Sequence, residues 1–149
     1  FQAFARGVAP LPASPQARVS LLYVDDLAAA ILSWLKQSKR ESGIFELHDG
    51  QPDGYSWDEV VQVAESLLGR RIRKIALPGT PLRLLSSANA TMSRLIGHAP
   101  MLTPGKIREL RHSNWVCDNG PLQKVLDWHP QVDLAQGLHL TCGWGQRIV

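Results

Sequence analysis

The sequence predicts a mixed α/β fold in a single domain. Short apolar or β-branched runs alternate with amphipathic helices in the first half of the chain, and helices dominate the second half. A length of 149 residues suits one domain with one core. The apolar share of 44% and the charged share of 19% are those of an ordinary globular protein. We therefore expect residues 1–149 to form one lobe.

The first predicted strand and helix meet at a pair of aspartates. Residues 7–17 are rich in Pro, Ala and Ser, which predicts a loop, and residues 19–24 are β-branched and apolar, which predicts a buried strand. From Leu27 the apolar residues repeat at helical spacing. Asp25 and Asp26 precede that helix, where a carboxylate accepts hydrogen bonds from unpaired N–H groups and favourably meets the helix dipole. Helix capping is therefore their predicted role, in preference to acid–base chemistry or a metal site.

The clearest predicted helix is the segment SWDEVVQVAESLLG. Ser56 and Glu59 form a capping box, the apolar residues fall on one stripe, and Gly69 occupies the position of a C-terminal cap. The preceding IFEL (44–47) predicts a short strand, and RIRKIALP (71–78) predicts another.

The second half of the chain is predicted to be mainly helical. TPLRLLSSANATMSRLIG and TPGKIRELRH each begin with Thr followed by Pro, and NGPLQKVLDW is predicted to have Pro121 at its first helical position, all of which are typical helix starts. NWVCD predicts a short strand between the last two segments. Asp133 is predicted to cap a final helix, LAQGLHLTCGWGQR.

The chain lacks the sequence motifs of common catalytic sites. It contains no H-x-H or H-E-x-x-H metal motif, no G-x-S-x-G nucleophile elbow, and neither a G-x-x-x-x-G-K-[ST] nor a G-x-G-x-x-G phosphate loop. Its five histidines show no ligand spacing, and Cys117 and Cys142 form neither a zinc motif nor a disulfide framework. We predict no catalytic, cofactor-binding or metal-binding residues in this chain alone. Two scattered cysteines indicate a reducing cytoplasm.

Charge and hydropathy argue against nucleic-acid and membrane partners. The net charge is only +3, and the basic run GRRIRK (69–74) has no interleaved aromatic residues, so a strand with a solvated face is favoured over an RNA-contacting module. No run of 18 apolar residues predicts a membrane span. The first residues lack a secretory signal pattern and an initiating Met, which suggests a fragment of a longer cytoplasmic protein.

The order of several motifs is informative as a set. A strand ending in YVDDLA is followed by a helix, then by GIFELHDGQP, and the chain closes with LQKVLDWHPQVDLAQGLHLTCGW. This order resembles the C-terminal part of extended or atypical short-chain dehydrogenase/reductases, the NAD-dependent epimerase/dehydratase family. The family's closing motif is L-G-W-x-P-x-x-x-L-x-E-G-L-x-x-T-x-x-W. Asp127 and Gln136 depart from its Gly and Glu. The resemblance covers roughly residues 18–147.

The resemblance implies the C-terminal portion of a Rossmann-type NAD(P)-binding fold. This portion is a small substrate lobe of short strands and mostly helices, and it lacks the N-terminal dinucleotide-binding half. The family's glycine-rich loop and catalytic Tyr-x-x-x-Lys pair belong to that missing half. Tyr23 and Tyr55 are followed four residues later by Leu27 and Glu59, so neither belongs to such a pair. The full-length parent is expected to be an enzyme that uses NAD or NADP, whereas this segment is expected to bind neither and to be inactive alone.

The closing motif is predicted to consist mainly of packing residues. Trp128 with Pro130 can wedge a turn between two helices and bury a large ring. A helical stripe of four residues is expected to pack on the same core; its members are Leu134, Leu138, Thr141 and Trp144.

The resemblance also implies candidate substrate-binding residues. The family's late half closes over the substrate, and in nucleotide-sugar members its arginines hold the diphosphate. One such position corresponds to Val19, one residue from Arg18, and a slip of one residue in a strand turns a side chain to the other face. The second position corresponds to Arg108, for which a solvated helix charge is the alternative. Arg111 lies one turn further along the same helix face. Tyr23 completes the candidates.

Two functional hypotheses follow. The first is a substrate-binding lobe of an NAD(P)-dependent nucleotide-sugar epimerase or dehydratase, or of a related reductase. The second is a non-catalytic nucleotide-sensing or regulatory protein on a degenerate dehydrogenase scaffold. The expected partners are the missing N-terminal NAD(P)-binding half and a small nucleotide-sugar-like molecule. In the family the GIFEL strand lies at the edge of the large sheet, so the isolated fragment is expected to self-associate through unpaired backbone and apolar groups.

Overall fold

The computed structural model describes residues 1–11, 14–38, 42–77 and 104–145. This part of the chain is a mixed α/β structure, as predicted. Its helices are α1 (Gln2–Ala5), α2 (Val24–Lys36), α3 (Trp57–Leu68), α4 (Pro104–Leu110), α5 (Gly120–Gln123) and α6 (Leu134–Cys142). Its strands are β1 (Val8–Leu11), β2 (Arg18–Val19), β3 (Tyr55–Ser56), β4 (Arg73–Ala76) and β5 (Asn114–Trp115). The helix predicted for TPLRLLSSANATMSRLIG lies outside the described residues.

The strands form two small sheets. β1 pairs with β4 in parallel, and β2 lies between β3, to which it is antiparallel, and β5, to which it is parallel. The predicted loop at 7–17 is therefore wrong over its first part, which forms β1. Ala9 and Leu11 are buried and the intervening Pro10 is exposed, the alternation of a half-buried strand. The hydrogen bonds of β1 come from residues more than sixty positions away, so the local Pro-rich composition does not reveal them.

Two other strand predictions need correction. Only the first residue of the predicted strand at 19–24 lies in a strand, because β2 ends at Val19 and α2 already begins at Val24. The segment IFEL (44–47) forms no strand. A strand needs a hydrogen-bonded neighbour, and among the described residues this segment pairs with none. Ile44 is 96% exposed.

Helix α3 has the predicted ends. The Ser56 hydroxyl oxygen accepts the Glu59 N–H at 3.2 Å, and the Glu59 carboxylate accepts the Ser56 N–H at 2.6 Å. The hydrogen bond from the Ser56 backbone N–H, and next the contribution of the Ser56 side chain, hold the pKa of Glu59 below its usual value. Gly69 ends the helix in the left-handed conformation, with φ of 63°. The capping box and the C-terminal cap are both confirmed.

Helix α6 is also capped as predicted, although it is shorter than the predicted segment. Asp133 accepts the Gln136 N–H at 2.8 Å, and the Gln136 side chain accepts the Asp133 N–H at 3.3 Å. The helix ends at Cys142 because Gly143 takes a left-handed conformation, with φ of 68°.

Most of the buried apolar side chains in the described ranges form two clusters, where the sequence analysis expected one core. The first joins α1, β1, α3 and α6, and it contains Leu134, Leu138 and Trp144. The second joins α2 and α5 and contains Trp128. Thr141 is exposed, so it is not a core residue. The closing motif therefore supplies packing residues to both clusters, since the chain turns between Trp128 and α6.

Asp26 does not cap its own helix. Tyr23 is the N-cap residue of α2, and no side chain makes a capping hydrogen bond there. Asp26 is 4% exposed, and its carboxylate accepts the N–H groups of Gln131, at 3.1 Å, and of Val132, at 3.0 Å. The capping prediction is thus wrong about the partner. The N–H groups that Asp26 satisfies lie in the turn before α6.

No helix in the described part of the chain is both long and apolar enough to cross a membrane.

Candidate functional site

A cleft of about 480 Å³ lies between β2, α3 and α4 and contains one of the predicted substrate residues. We call it the Arg18 cleft. Its lining residues are Ala17, Arg18, Val19, Trp57, Lys106, Glu109, Leu110, His112 and Trp115. The central position of β2 between β3 and β5 brings α3, which follows β3, and α4, which precedes β5, to the two sides of this cleft.

Arg18 is held by the turn that precedes β3. Its Nε donates to the Asp53 carbonyl at 2.5 Å and its Nη2 to the Gly54 carbonyl at 2.9 Å, while the Glu59 carboxylate lies 3.7 Å away. Gly54 has φ of 60°, and a Cβ there would lie 2.8 Å from the Val19 carbonyl oxygen. The turn therefore requires glycine, and it presents its carbonyls to the arginine.

Aromatic side chains form much of the wall. Trp57 is the first residue of α3, and Trp115 ends β5. The Trp115 Nε1–H donates to the Glu109 carbonyl at 2.9 Å, which fixes the indole between α4 and β5. The His112 ring lies 4.9 Å from the Trp115 ring, and His112 Nδ1 accepts the Asn114 N–H at 3.1 Å. Sequence reasoning missed this wall, because its members come from separate helices and strands.

The long cationic side chains of the cleft lie beside carboxylates. Lys106 Nζ is 3.8 Å from the Glu109 carboxylate, one helical turn further along α4, and both side chains are exposed. Arg18 pairs in the same way with Glu59. The positive charge of these two residues is thus partly compensated within the protein.

The other two predicted arginines lie near this cleft without lining it. Arg108 is exposed in the last turn of α4. Arg111 follows α4, and its Nη1 donates to the Leu77 carbonyl at 3.3 Å. The structure therefore brings Arg18 close to the helix that carries Arg108, while the lining of the cleft contains Arg18 alone of the three arginines.

Tyr23 lies at a different cavity, of about 130 Å³, between the start of α2 and α6. This cavity shares no lining residue with the Arg18 cleft; its walls include Phe1, Leu21, Asp49 and Leu138. The four predicted substrate residues are therefore not gathered at one site.

A tyrosine–aspartate pair lies near the Tyr23 cavity. The Tyr55 hydroxyl donates to the Asp49 carboxylate at 2.8 Å. Burial raises the pKa of Tyr55, and the hydrogen bond to the Asp49 carboxylate raises it further. Burial also raises the pKa of Asp49, although the bond from Tyr55 works in the opposite direction. Tyr55 therefore keeps its proton near neutral pH, whereas a catalytic tyrosine base must lose it.

No group of three His, Cys, Asp or Glu side chains within the described ranges is arranged to hold a metal ion.

A broad apolar surface covers one side of α2. Leu27, Ile31, Leu32 and Leu35 are between 40% and 56% exposed. Between α2 and residues 42–47 lies an apolar cavity of about 510 Å³, whose lining includes Trp34, Phe45 and Leu122. We call this surface, together with the exposed Ile44, the α2 face. The four helix residues follow the apolar spacing predicted from Leu27, and within the described ranges they belong to neither buried cluster.

No protein-family model matches the chain. Among curated proteins, the chain is similar to the "Ceramide reductase" of Caulobacter vibrioides (strain NA1000 / CB15N), with 30% identity over 144 residues that cover 97% of this chain and 44% of that protein. It is also similar to the "Uncharacterized protein y4nL" of Sinorhizobium fredii (strain NBRC 101917 / NGR234), with 27% identity over 149 residues that cover 97% of this chain and 41% of that protein.

Among solved structures, the chain is similar to a UDP-glucuronic acid 4-epimerase from Bacillus cereus, determined in complex with UDP-glucuronic acid and NAD. The TM-score is 0.63 at 14% sequence identity, and the match covers 93% of this chain and 35% of the epimerase. At this identity the likeness concerns the fold alone. The chain spans less than half the length of each of these three proteins.

Proposed function

We propose that this chain is the substrate-binding lobe of an NAD(P)-dependent reductase, epimerase or dehydratase. The dinucleotide-binding half and the catalytic residues would be supplied by sequence outside these 149 residues. The observation that carries the proposal is the uncovered α2 face. A contiguous apolar surface of this kind on a soluble protein marks an interaction site.

The chemistry of the α2 face supports a folded protein half as its occupant. Its four leucine and isoleucine side chains lie on successive turns of one helix, the pattern of a helix packed on a sheet. Residues 42–47 run beside it without strand partners among the described residues. A parallel sheet in the missing half would cover the helix and pair with residues 42–47. The length of the curated relatives leaves room for such a half.

The parent's proposed reaction is hydride transfer between its substrate and a nicotinamide cofactor, either NAD or NADP. The resemblance to the epimerase/dehydratase family, the name of the Caulobacter relative and the NAD in the Bacillus cereus epimerase crystal support this proposal. The lobe described here would bind and enclose the substrate. Its partners would be the cofactor-binding half and a small molecule, in the cytoplasm, with neither nucleic acid nor membrane lipid bilayer among them.

The positions of the four predicted substrate residues support a role in substrate binding to different degrees. Arg108 is exposed on α4 beside the Arg18 cleft and is available to an anionic group. Arg18 lines the cleft, although its guanidinium is engaged by two carbonyls. Arg111 donates to a carbonyl, and Tyr23 faces the smaller cavity. We propose Arg108 as the first of the four to substitute in a substrate-binding assay.

The competing proposal is a nucleotide-sensing or regulatory protein on the same scaffold without turnover. The Tyr-x-x-x-Lys pair of the parent discriminates between the two, because the chemistry requires a tyrosine whose pKa a neighbouring lysine lowers. Its presence upstream of Phe1 favours the enzyme, and its loss favours the sensor.

The proposal is tested by calorimetry with NADH and NADPH on two proteins, the full-length product of the gene and the chain of residues 1–149. We expect saturable binding of one cofactor to the full-length protein and none to the shorter chain. Micromolar binding of NADH or NADPH to residues 1–149 alone would contradict the proposal that the cofactor binds to the other half of the parent.

A further inference from the structure

We propose that a second, polar cavity beside α5 binds the hydroxyl groups of an uncharged polyol. The cavity has a volume of about 470 Å³, within the range of small-molecule sites, and its lining comes from three segments, 48–52, 118–123 and 129–130. We call it the His48 cavity. It shares no lining residue with the Arg18 cleft, so this inference does not rest on the proposed function.

The imidazole of His48 is buried and fixed in one tautomer. The residue is 6% exposed, and the Gly50 N–H donates to its Nδ1 at 3.0 Å. Because Nδ1 is an acceptor, the proton of the neutral ring is on Nε2. The buried Asn119 side chain fixes the backbone of His48, since its Oδ1 accepts the His48 N–H at 2.7 Å and its Nδ2 donates to the His48 carbonyl at 2.9 Å. Three hydrogen bonds thus set the direction of the Nε2–H.

The Nε2–H of His48 is a donor that the described residues leave unused. None of them accepts a hydrogen bond from this atom. The described ranges contain no fully buried side-chain nitrogen or oxygen without a partner, so Nε2 must be open to solvent. It opens at the cavity that His48 lines. A ligand there meets a fixed donor in an otherwise buried ring.

A carboxylate supplies the complementary acceptor. Asp118 directly precedes the Asn119 that holds His48, and it lines the same cavity. Its Oδ1 accepts the Gly120 N–H at 2.8 Å, whereas no described residue donates to its Oδ2. The side chains of Gln123 and His129, whose Nε2 and Nδ1 atoms lie 3.3 Å apart, add further polar groups where the cavity meets the solvent.

This set of groups selects hydroxyls among the possible ligands. An anion would meet the carboxylates of Asp49 and Asp118 in a lining that contains no lysine or arginine. A metal ion or an ammonium group has no lone pair for the His48 Nε2–H. A hydroxyl group accepts from such a donor and also donates to a carboxylate. Because the polar groups are spread over three segments of the chain, a molecule with several neighbouring hydroxyls fits them best.

The His48 cavity is separate from the surface that we assign to the other half of the parent. Leu122 of α5 lines the apolar cavity beside α2, whereas Gly120 and Gln123 of the same helix line the His48 cavity. The two cavities share no lining residue. A protein half that covers the α2 face therefore leaves the His48 cavity open.

The described residues that flank 78–103 also lie elsewhere. Pro104 begins α4, and the Leu77 carbonyl accepts a hydrogen bond from Arg111 at the end of that helix. Helix α4 contributes no residue to the lining of the His48 cavity.

The inference is tested with myo-inositol, an uncharged ring with a hydroxyl on every carbon. Cyclohexanol, the same ring with a single hydroxyl, and inorganic phosphate are the comparison probes. Binding is measured by calorimetry in the full-length protein and in residues 1–149, and the ring signals of His48 are followed by NMR. We expect saturable binding of myo-inositol to both proteins with a shift of the His48 signals, and neither effect with cyclohexanol or phosphate.

Two nearly isosteric substitutions locate the site. His48→Asn places an amide oxygen near the position of Nδ1, so that the Gly50 N–H keeps an acceptor while the Nε2–H is lost. Asp118→Asn keeps the acceptor for Gly120 and replaces Oδ2 by a donor. We expect each to weaken the binding of myo-inositol about tenfold, the effect of one hydrogen bond to a charged or buried group. Asp127→Asn is the matched control, since this fully exposed carboxylate is absent from the lining, and it should change binding less than about twofold.

Four results would overturn the inference. The first is binding of cyclohexanol as tight as that of myo-inositol, and the second is phosphate binding that His48→Asn abolishes. The third is an equal effect of Asp118→Asn and Asp127→Asn. The fourth is binding to residues 1–149 with none to the full-length protein, which would show that the other half covers the cavity. None of these results touches the binding of NADH or NADPH by the full-length protein, which tests the proposed function independently.

Discussion

The Asp26 carboxylate accepts the backbone N–H of Val132 at 3.0 Å, across 106 positions of the chain. Gln131 donates to the same carboxylate, and the side chain is buried. This contact ties the first turn of α2 to the turn from which α6 starts. It therefore links the helix that carries the exposed apolar face to a helix of the first core cluster.

Asp26→Asn is expected to destabilise the chain by about 1.5–3 kcal/mol. The amide has one acceptor oxygen in place of two, and its NH₂ group would face N–H donors in a buried place. Asp25→Asn, at the exposed neighbouring position, is the matched control and should change stability by less than about 0.5 kcal/mol. Urea unfolding at one low protein concentration measures both. Equal effects of the two substitutions would show that the buried contact is not what matters.

Ser56→Ala should cost about 1 kcal/mol, because it removes one half of the capping box of α3. Ser66→Ala makes the same change in the exposed interior of the same helix, where the hydroxyl only donates to the Gln62 carbonyl. We expect that control to be neutral or slightly stabilising, since Ala is the better helix former. A cost at residue 66 equal to that at residue 56 would contradict the capping role.

The capping box also predicts a pH dependence. The pKa of Glu59 in the folded state lies below its ordinary value of 4.5. Its contribution to stability is therefore fully present above pH 4.5 and is lost as the pH falls through the folded-state pKa. In Ser56→Ala the backbone N–H remains and only the contribution of the Ser56 side chain to the lowered pKa is lost, so this part of the acid sensitivity should shrink. Unfolding curves between pH 3 and pH 6 test it, and an unchanged pH profile would argue against the linkage.

Gly54→Ala should destabilise the chain more than Gly69→Ala. Both glycines have a positive φ, of 60° and 63°, so both substitutions carry a similar backbone strain of about 1–2 kcal/mol. Only at Gly54 does the added Cβ also collide, at 2.8 Å from the Val19 carbonyl oxygen, whereas at Gly69 it meets no atom within 4 Å. Thermal or urea unfolding gives the difference. If Gly69→Ala destabilised the chain more than Gly54→Ala, the turn before β3 would not pack on β2 as described.

The isolated chain is expected to self-associate through the α2 face. Ile31→Arg should lower the apparent mass in sedimentation at high protein concentration, because it places a charge at the centre of this face. Leu140→Arg, equally exposed on α6, should leave the association unchanged. A monomeric profile of the unmodified chain at high concentration would count against the prediction.

Local signals in the sequence predicted the local structure well. Ser56, Glu59 and Gly69 delimit α3, and Asp133 starts α6, because the groups that cap a helix lie within a few residues of its end. The spacing of the apolar residues also predicted which side of α2 is apolar. It did not predict that this side would be exposed.

Long-range partners account for what the sequence did not reveal. Strand β1 pairs with residues 73–76, and Asp26 binds a turn more than a hundred residues away. The wall of the Arg18 cleft likewise combines a helix start, a helix face and a strand end that no sequence period connects. Arg18 was a candidate through a resemblance, but its engagement by the Asp53 and Gly54 carbonyls depends on the folded turn.

The central claim is that another half of the parent protein covers the α2 face. The most direct test is the effect of Ile31→Arg on the free energy of unfolding, measured both in residues 1–149 and in the full-length protein. We expect a small effect in the short chain, where Ile31 is exposed, and a loss of more than about 3 kcal/mol in the full-length protein, where an unpaired charge would be buried. Leu140→Arg should have a small effect in both. An equally small effect of Ile31→Arg in the full-length protein would show that the α2 face stays in water, and the claim would be wrong.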